Sequence, residues 1–80
     1  MSDTAKKIKG IIARQLEIKE EKVTENARIT DDLGADSLDI IEALSILEEE
    51  FDIRIPGKEG DDLKTVGELI SYIDEKLKQK

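Results

Sequence analysis

The stretch DLGADSLDIIEALSILEEEF, residues 32–51, decides how this chain folds and places a serine, Ser37, at the start of a helix. Asp36 is suited to cap the free backbone N–H groups of a helix that begins at Ser37 and ends at about Asp52. At about 100° per residue, the apolar side of this helix carries Ile40, Leu44, Leu47 and Phe51, with Ala43 beside them. We predict that this side is buried in the core.

The opposite side of the same helix is mixed. It combines three small or apolar residues with three carboxylates: Leu38, Ile41, Ser45, Glu42, Glu48 and Glu49. Single exposed apolar side chains are common, so the pattern fits an ordinary solvated face. It fits a docking patch for a partner equally well. Periodicity alone leaves both interpretations open.

The flanking segments predict more helices. Residues 4–16 have apolar residues at helical spacing after Asp3 or Thr4 as cap, and Thr65 with Glu68 forms a capping box before a C-terminal apolar stripe. Pro56, Gly57 and Gly60 allow at most one short helical turn near residues 58–62. Nothing alternates with period two. We predict an all-α, small four-helix bundle, with three main helices, one short helix and a long loop (17–35) between helices 1 and 2, as a single domain over residues 1–80.

Charge is concentrated around the central helix. The net charge is −7, and residues 31–52 hold nine acidic residues and no Lys or Arg. We expect these charges to repel one another without a neighbouring cation, to disfavour nucleic acid, and to suit a basic protein surface or a divalent cation. An EF-hand starting at Asp31 would need glycine where Asp36 stands. We therefore predict no specific metal site, with weak divalent binding at Asp31, Asp36 and Asp39.

The chain contains no cysteine, and no apolar run approaches 18 residues. The N-terminal residues MSDTAKKIKG lack the apolar region of a signal peptide. We expect a cytoplasmic monomer that does not enter membranes.

Ser37 is a poor candidate for a catalytic nucleophile. The chain has no histidine to serve as its base, and an exposed carboxylate is a weak substitute. Two interpretations remain. Ser37 helps to cap the helix, or its exposed hydroxyl is modified by another enzyme, with the positive end of the helix dipole favouring an attached phosphate.

The stretch DLGADSLDIIEALSILEEEFDIRIP resembles the central motif of acyl carrier proteins, and QLEIKEEKVTENARI and TVGELISYI resemble the flanking parts of that family. The resemblance implies a protein that is not an enzyme. A separate phosphopantetheinyl transferase would attach 4′-phosphopantetheine from coenzyme A to Ser37, and acyl chains would ride on its thiol as thioesters. It also implies that basic patches on fatty-acid-synthesis enzymes meet Asp36, Asp39, Glu42 and Glu48, with Leu38 and Ile41 as apolar contacts.

The chain departs from the fatty-acid type at several positions. Ser45 stands where Met is usual, Ala43 where Leu is usual, Ile46 where a small residue is common, and Glu17 where Gly usually ends the first helix. The favoured interpretation is a carrier of fatty acid biosynthesis. The alternatives are a specialised carrier for a polyketide, peptide or lipid-modifying pathway, and an acidic helical interaction module that is never modified.

Overall fold

The computed structural model describes residues 3–79, which form four α-helices and one 3₁₀ turn. The helices are α1 (Asp3–Leu16), α2 (Ser37–Phe51), α3 (Gly57–Gly60) and α4 (Val66–Lys78), and the 3₁₀ turn is Glu20–Lys22. Between residues 3 and 79 the extended pairing consists of one isolated antiparallel bridge, Arg28 with Thr65. The predicted all-α fold is confirmed, and none of the described helices is long and apolar enough to cross a membrane.

The core lies where α1 packs against α2 and α4. Helices α1 and α4 supply most of it, with these fully or nearly buried residues: Ala5, Ile8, Ile12, Ala13, Val66, Leu69, Ile70 and Ile73. In α2 only Leu47 reaches this level of burial, with no exposed surface. The other residues predicted on the buried side, Ile40, Ala43, Leu44 and Phe51, are only half-buried, and Leu44 and Phe51 pack against the edge of the core. Helix α2 is thus attached to the bundle through a narrow apolar stripe.

Both α1 and α2 end in a left-handed residue that is not glycine. Glu17 has a φ of 56° and Asp52 a φ of 54°, a conformation that costs such residues roughly 1–2 kcal/mol. The next residues, Ile18 and Ile53, donate their N–H groups to carbonyls five residues earlier and pack half-buried side chains against the core. The absence of glycine at position 17 therefore does not prevent a left-handed end of α1, because the following isoleucine packs against the core.

The long loop between α1 and α2 is fastened to the start of α4. Val66 N–H donates to Ala27 C=O at 3.1 Å, and Gly67 N–H donates to Glu25 C=O at 2.9 Å. These bonds satisfy two of the amides that a helix start leaves open. The loop turns into α2 through Gly34, whose φ of 75° suits glycine. The loop that leads to Ser37 is therefore held by hydrogen bonds to the start of α4 and by the turn at Gly34.

The predicted capping box of α4 is confirmed, and it gives the fold an acid-sensitive element. Thr65 Oγ1 accepts from Glu68 N–H at 3.1 Å, and Glu68 Oε1 accepts from Thr65 N–H at 2.9 Å. The Thr65 backbone bond, helped by a second one from Lys64, holds the pKa of Glu68 below its ordinary value of 4.5. Because the pKa of Glu68 is lower in the folded chain, its carboxylate stabilises the fold at pH values above the ordinary pKa. This contribution is lost as the pH falls through the lowered pKa.

We expect the melting temperature to fall between pH 5 and pH 3, and to fall less steeply in Glu68→Gln. Glutamine still accepts hydrogen bonds at this position but does not titrate. Thermal melts of both proteins across this range measure the difference. Parallel curves would show that the Glu68 carboxylate contributes nothing to acid sensitivity.

Candidate functional site

Ser37 is the first residue of α2 and is exposed. The helix is capped by its neighbours: Asp36 Oδ1 accepts from Asp39 N–H at 2.9 Å, and Asp39 Oδ2 accepts from Asp36 N–H at 3.3 Å. Across residues 3–79, no hydrogen bond engages the Ser37 hydroxyl. The cap is complete without Ser37, so capping does not explain the serine.

Ser37 also lacks the partners of a catalytic nucleophile. The chain has no histidine, and the Asp36 and Asp39 carboxylates that flank the serine accept from backbone amides instead. A serine hydroxyl without a base is a weak nucleophile. The position is suited to a hydroxyl on which a separate enzyme acts.

The start of α2 has features that fit a phosphodiester on the serine oxygen. In the described part of the chain, the backbone N–H groups of Ser37 and Leu38 have no acceptor, and the helix dipole places partial positive charge there. The carboxylates of Asp36 and Asp39 oppose an anion at the same place. Because the helix start attracts an anion and the two carboxylates repel it, a phosphodiester covalently tethered to the exposed oxygen fits this place better than a freely bound anion does.

The mixed face of α2 is exposed, as its pattern allowed. Leu38 retains 63% and Ile41 retains 60% of their accessible surface, and Glu42 and Ser45 are exposed beside them. Two large apolar side chains exposed on one helix face are more typical of a contact surface than of a solvated one. Their predicted contacts with partner enzymes stay a prediction.

The predicted recognition acids differ in what they do inside the fold. Asp36 and Asp39 form the capping box, and Glu48 is half-buried with Oε2 accepting from Ile55 N–H at 2.7 Å. Glu42 has no hydrogen-bond or ion-pair partner among residues 3–79. The internal bond of Glu48 could not be found by periodicity, because it crosses the connection after α2.

The expected absence of a relieving cation around the acidic segment is wrong. Arg28 nitrogens lie 3.6 Å from Asp31 Oδ2 and 3.5 Å from Asp32 Oδ2, and Lys7 Nζ lies 3.8 Å from Glu50 Oε2. The Arg28 backbone N–H, donating to Asp32 Oδ2 at 2.7 Å, is the main cause that holds the pKa of Asp32 below its ordinary value. Residues outside the segment therefore offset part of its repulsion.

The three acids predicted for weak divalent binding do not form a site together. Between residues 3 and 79, no group of three or more Asp or Glu side chains is arranged to hold a metal ion. Asp31 pairs with Arg28, whereas Asp36 and Asp39 cap α2. Weak divalent binding spread over the acidic segment stays a prediction.

A small apolar cavity lies beside the first half of α2. Its volume is about 20 Å³, roughly the room for one water molecule. Apart from Asp39, its walls are aliphatic: Ile12, Leu16, Ile29, Ala35, Ile40, Ala43, Leu44 and Leu69. The short side chain of Ala43 is part of this lining.

Comparison with known proteins identifies the family. Residues 6–73 match the family described as the phosphopantetheine attachment site. An acyl carrier protein of Zymomonas mobilis is 52% identical over 75 residues, which are 94% of this chain and 96% of that protein. The chain belongs to the acyl carrier protein family. Acyl carrier proteins are carriers rather than catalysts, and the cofactor of this chain is 4′-phosphopantetheine.

Two solved structures share the fold of this acyl carrier protein. One, assigned to an acyl carrier protein of Mycobacterium tuberculosis, has a TM-score of 0.84 and 33% identity and covers 90% of this chain and 96% of that chain. The other, an acyl carrier protein of Enterococcus faecalis, has a TM-score of 0.79 and 32% identity and covers 92% and 94%. The helical bundle is thus common to proteins that differ at two thirds of their positions.

Proposed function

We propose that this protein carries growing acyl chains in fatty acid biosynthesis, as thioesters on 4′-phosphopantetheine attached to Ser37. The observation that supports Ser37 most is its exposed hydroxyl, which is unengaged at the start of a helix that its neighbours already cap. Once attached, the cofactor supplies a thiol on a flexible arm. A separate phosphopantetheinyl transferase is the proposed modifying enzyme, with coenzyme A as the source of the arm.

The residues around Ser37 have supporting roles in this proposal. Asp36 and Asp39 fix the start of α2, so that the serine oxygen is held at a defined place. The aliphatic cavity beside α2 offers the apolar surroundings that an acyl chain prefers. At about 20 Å³ it must widen to admit more than a methyl-sized group.

The proposed partners are fatty-acid-synthesis enzymes whose basic patches dock on α2. Leu38 and Ile41 are exposed for apolar contact, and Glu42 offers a carboxylate that no residue among 3–79 neutralises. The net charge of −7 disfavours association between copies. We propose a cytoplasmic monomer whose single carrier domain spans residues 1–80.

We expect a broad-specificity transferase with coenzyme A to add one phosphopantetheine to the apo-protein, on Ser37. Ser37→Ala should abolish the modification while keeping the circular dichroism of the helical fold. Ser45→Ala, an exposed serine on the same helix, is the matched control and should be modified fully. Intact-mass analysis and peptide mapping measure the outcome. A chain that stays unmodified with several transferases would support the unmodified interaction module instead, and a modification elsewhere would overturn the assignment of Ser37.

One observation favours a second candidate, a carrier for a specialised pathway. Ser45 is exposed on the docking face, where the fatty-acid type usually has methionine, so this chain lacks one apolar contact. If the native pathway is a specialised one, Ser45→Met should improve turnover with fatty-acid-synthesis enzymes, because methionine restores the missing apolar contact. Full activity of the unchanged protein with these enzymes would remove the case for a specialised carrier.

A further inference from the structure

Gly10 stands in the middle of α1, where glycine weakens a helix because it gives up more backbone freedom on folding than alanine does. Its backbone does not have the positive φ that favours glycine. Apart from its chain neighbours and the helix backbone, a Cβ at this position would meet one atom of the described residues within 4 Å, Glu20 Oε1 at 3.9 Å. A side chain would therefore fit, and the fold itself does not explain the glycine.

Gly10 lies in an open groove of about 600 Å³ along the exposed side of α1. The half-buried Ile18 is part of its lining. A second cavity, of about 270 Å³, shares Ile11 and Arg14 with the groove and extends it to Ile46 of α2, which keeps 41% of its surface exposed. The groove thus offers apolar contacts on both sides of a position that has no side chain.

Helix α1 is a positive element of an acidic chain. Residues 3–16 carry four cations and one acid, a net charge of +3, which leaves −10 for the other residues of a chain whose net charge is −7. Two of the cations, Lys7 and Arg14, line the groove. They are seven residues apart on one side of α1, about 10 Å along its axis, and Gly10 lies between them.

The two cations of the groove are open to a partner. The Arg14 guanidinium has no hydrogen-bond or ion-pair partner within residues 3–79. Lys7 pairs with Glu50 at 3.8 Å, but the two side chains are 60% and 46% exposed. Such a surface pair contributes little and can exchange for another carboxylate.

The surroundings of these cations decide which anion fits. Glu17, Glu20 and Glu50 also line the groove, so a membrane or a nucleic acid, which presents negative charge over a broad surface, would be repelled. Single carboxylates placed opposite Lys7 and Arg14 avoid this repulsion. A helix can place two carboxylates in this way, because residues seven apart share one of its sides. A small residue between them lets the two helices approach closely at the glycine of α1.

We infer that the groove of α1 is a second docking surface, which binds a helix of a partner protein with two acidic residues seven apart around a small residue. This partner is opposite in charge to the basic patches proposed for α2. None of the residues that line the groove or its extension is among those proposed to contact fatty-acid-synthesis enzymes. The carrier can therefore be tethered through α1 while Ser37 and the exposed face of α2 serve other enzymes. The tethering role rests on the proposed function, whereas the binding of the helix does not.

A synthetic peptide locked in a helix tests the groove. The probe carries two glutamates seven residues apart, an alanine between them and leucines beside the alanine, and the control peptide has glutamines in place of the glutamates. In NMR titrations of the isotope-labelled protein, we expect the amides of residues 7–14 and of Ile46 to shift, and the control to bind about tenfold more weakly or less. Absence of binding, shifts confined to residues outside the groove, or equal binding of the two peptides would overturn the inference.

Arg14→Glu should weaken binding of the probe about tenfold or more, because it replaces an attraction by a repulsion. Arg54→Glu is the matched control, since Arg54 is exposed outside α1 and has no partner among the described residues. It should change the affinity less than about twofold. Equal losses in the two variants would mean that the probe responds to net charge and not to the groove.

Gly10→Ala separates docking from stability. The melting temperature should rise, because alanine favours the helix and its Cβ finds room. Binding of the probe should nevertheless weaken, and in Gly10→Leu it should weaken about tenfold or more, because the side chain fills the place where the helices meet. Stabilisation with unchanged binding in both variants would contradict the docking role of Gly10.

A second copy of the chain is the competing occupant, since its α2 presents two exposed acids seven apart around an exposed serine, Glu42, Ser45 and Glu49. The net charge of −7 disfavours this pairing. In sedimentation of the protein alone we expect a monomer, and a dimer that Arg14→Glu dissociates would overturn the assignment to a partner protein. Modification of Ser37 is measured separately, so its failure would remove the proposed function and the tethering role while the peptide titration still decides whether the groove binds a helix.

Discussion

Leu47→Ala is expected to destabilise the fold by about 3 kcal/mol, within the range for leucine truncation in cores. Leu47 has no exposed surface, and it is the residue through which α2 is most deeply anchored. A chain of 80 residues with a small aliphatic core is expected near the low end of the usual ~5–15 kcal/mol. The substitution should therefore lower the melting temperature by roughly 15 °C.

Ile46→Ala is the matched control for Leu47→Ala. The two residues are adjacent in α2, but Ile46 keeps 41% of its surface exposed, so its truncation should cost less than about 1 kcal/mol. Thermal and urea unfolding of both variants measure the difference. Similar losses in the two proteins would show that α2 is not attached through Leu47.

Glu42→Lys is expected to weaken docking to a basic partner about tenfold or more at low salt. The change replaces an attractive charge by a repulsive one at a position with no intramolecular neutralisation among residues 3–79. The effect should shrink as the ionic strength rises past ~0.15 M, where the Debye length is ~8 Å. The KM of the transferase for apo-protein, measured across a salt series, reports it.

Glu20→Lys is the matched control, because it makes the same charge reversal at a residue outside α2. Glu20 is exposed at the start of the 3₁₀ turn and carries the same charge. It should change the KM much less than Glu42→Lys does. Equal effects of the two reversals would mean that the partner responds to net charge rather than to a directed surface. Glu48→Lys is a poor test of docking, because it also removes the acceptor of Ile55 N–H.

The sequence predicted the features that depend on local chemistry. Asp36 caps α2, and Thr65 with Glu68 caps α4, because capping is decided by residues three apart. The exposure of Leu38 and Ile41 followed from the helical period, which places them away from Leu47. The predicted bounds of α1 and α2 lie within one residue of those observed, but Asp3 and Thr4 lie inside α1 and do not cap it. The short turn expected near residues 58–62 is α3 at Gly57–Gly60 and ends two residues earlier.

Most of the features that were missed depend on the folded chain. Lys7 belongs to another helix, so its pair with Glu50 exists only after folding. The pairs of Arg28 with Asp31 and Asp32 are local, three and four residues apart, and were missed because Arg28 lies just outside the acidic segment. The Glu48 bond to Ile55 depends on how the chain turns after α2. Packing of the half-buried Ile18 against the core likewise offsets the unfavourable backbone of Glu17. The Lys7 pair, the Glu48 bond and the packing of Ile18 are tertiary effects that no helical period encodes.

The intact mass of the protein purified from its native host tests the central claim most directly. The account predicts a population heavier than the bare chain by 4′-phosphopantetheine, part of it with an acyl group in thioester linkage that hydroxylamine releases. Peptide mapping should place all of this mass on Ser37. A chain that is wholly unmodified in its host, or that carries the group on another residue, would contradict the account.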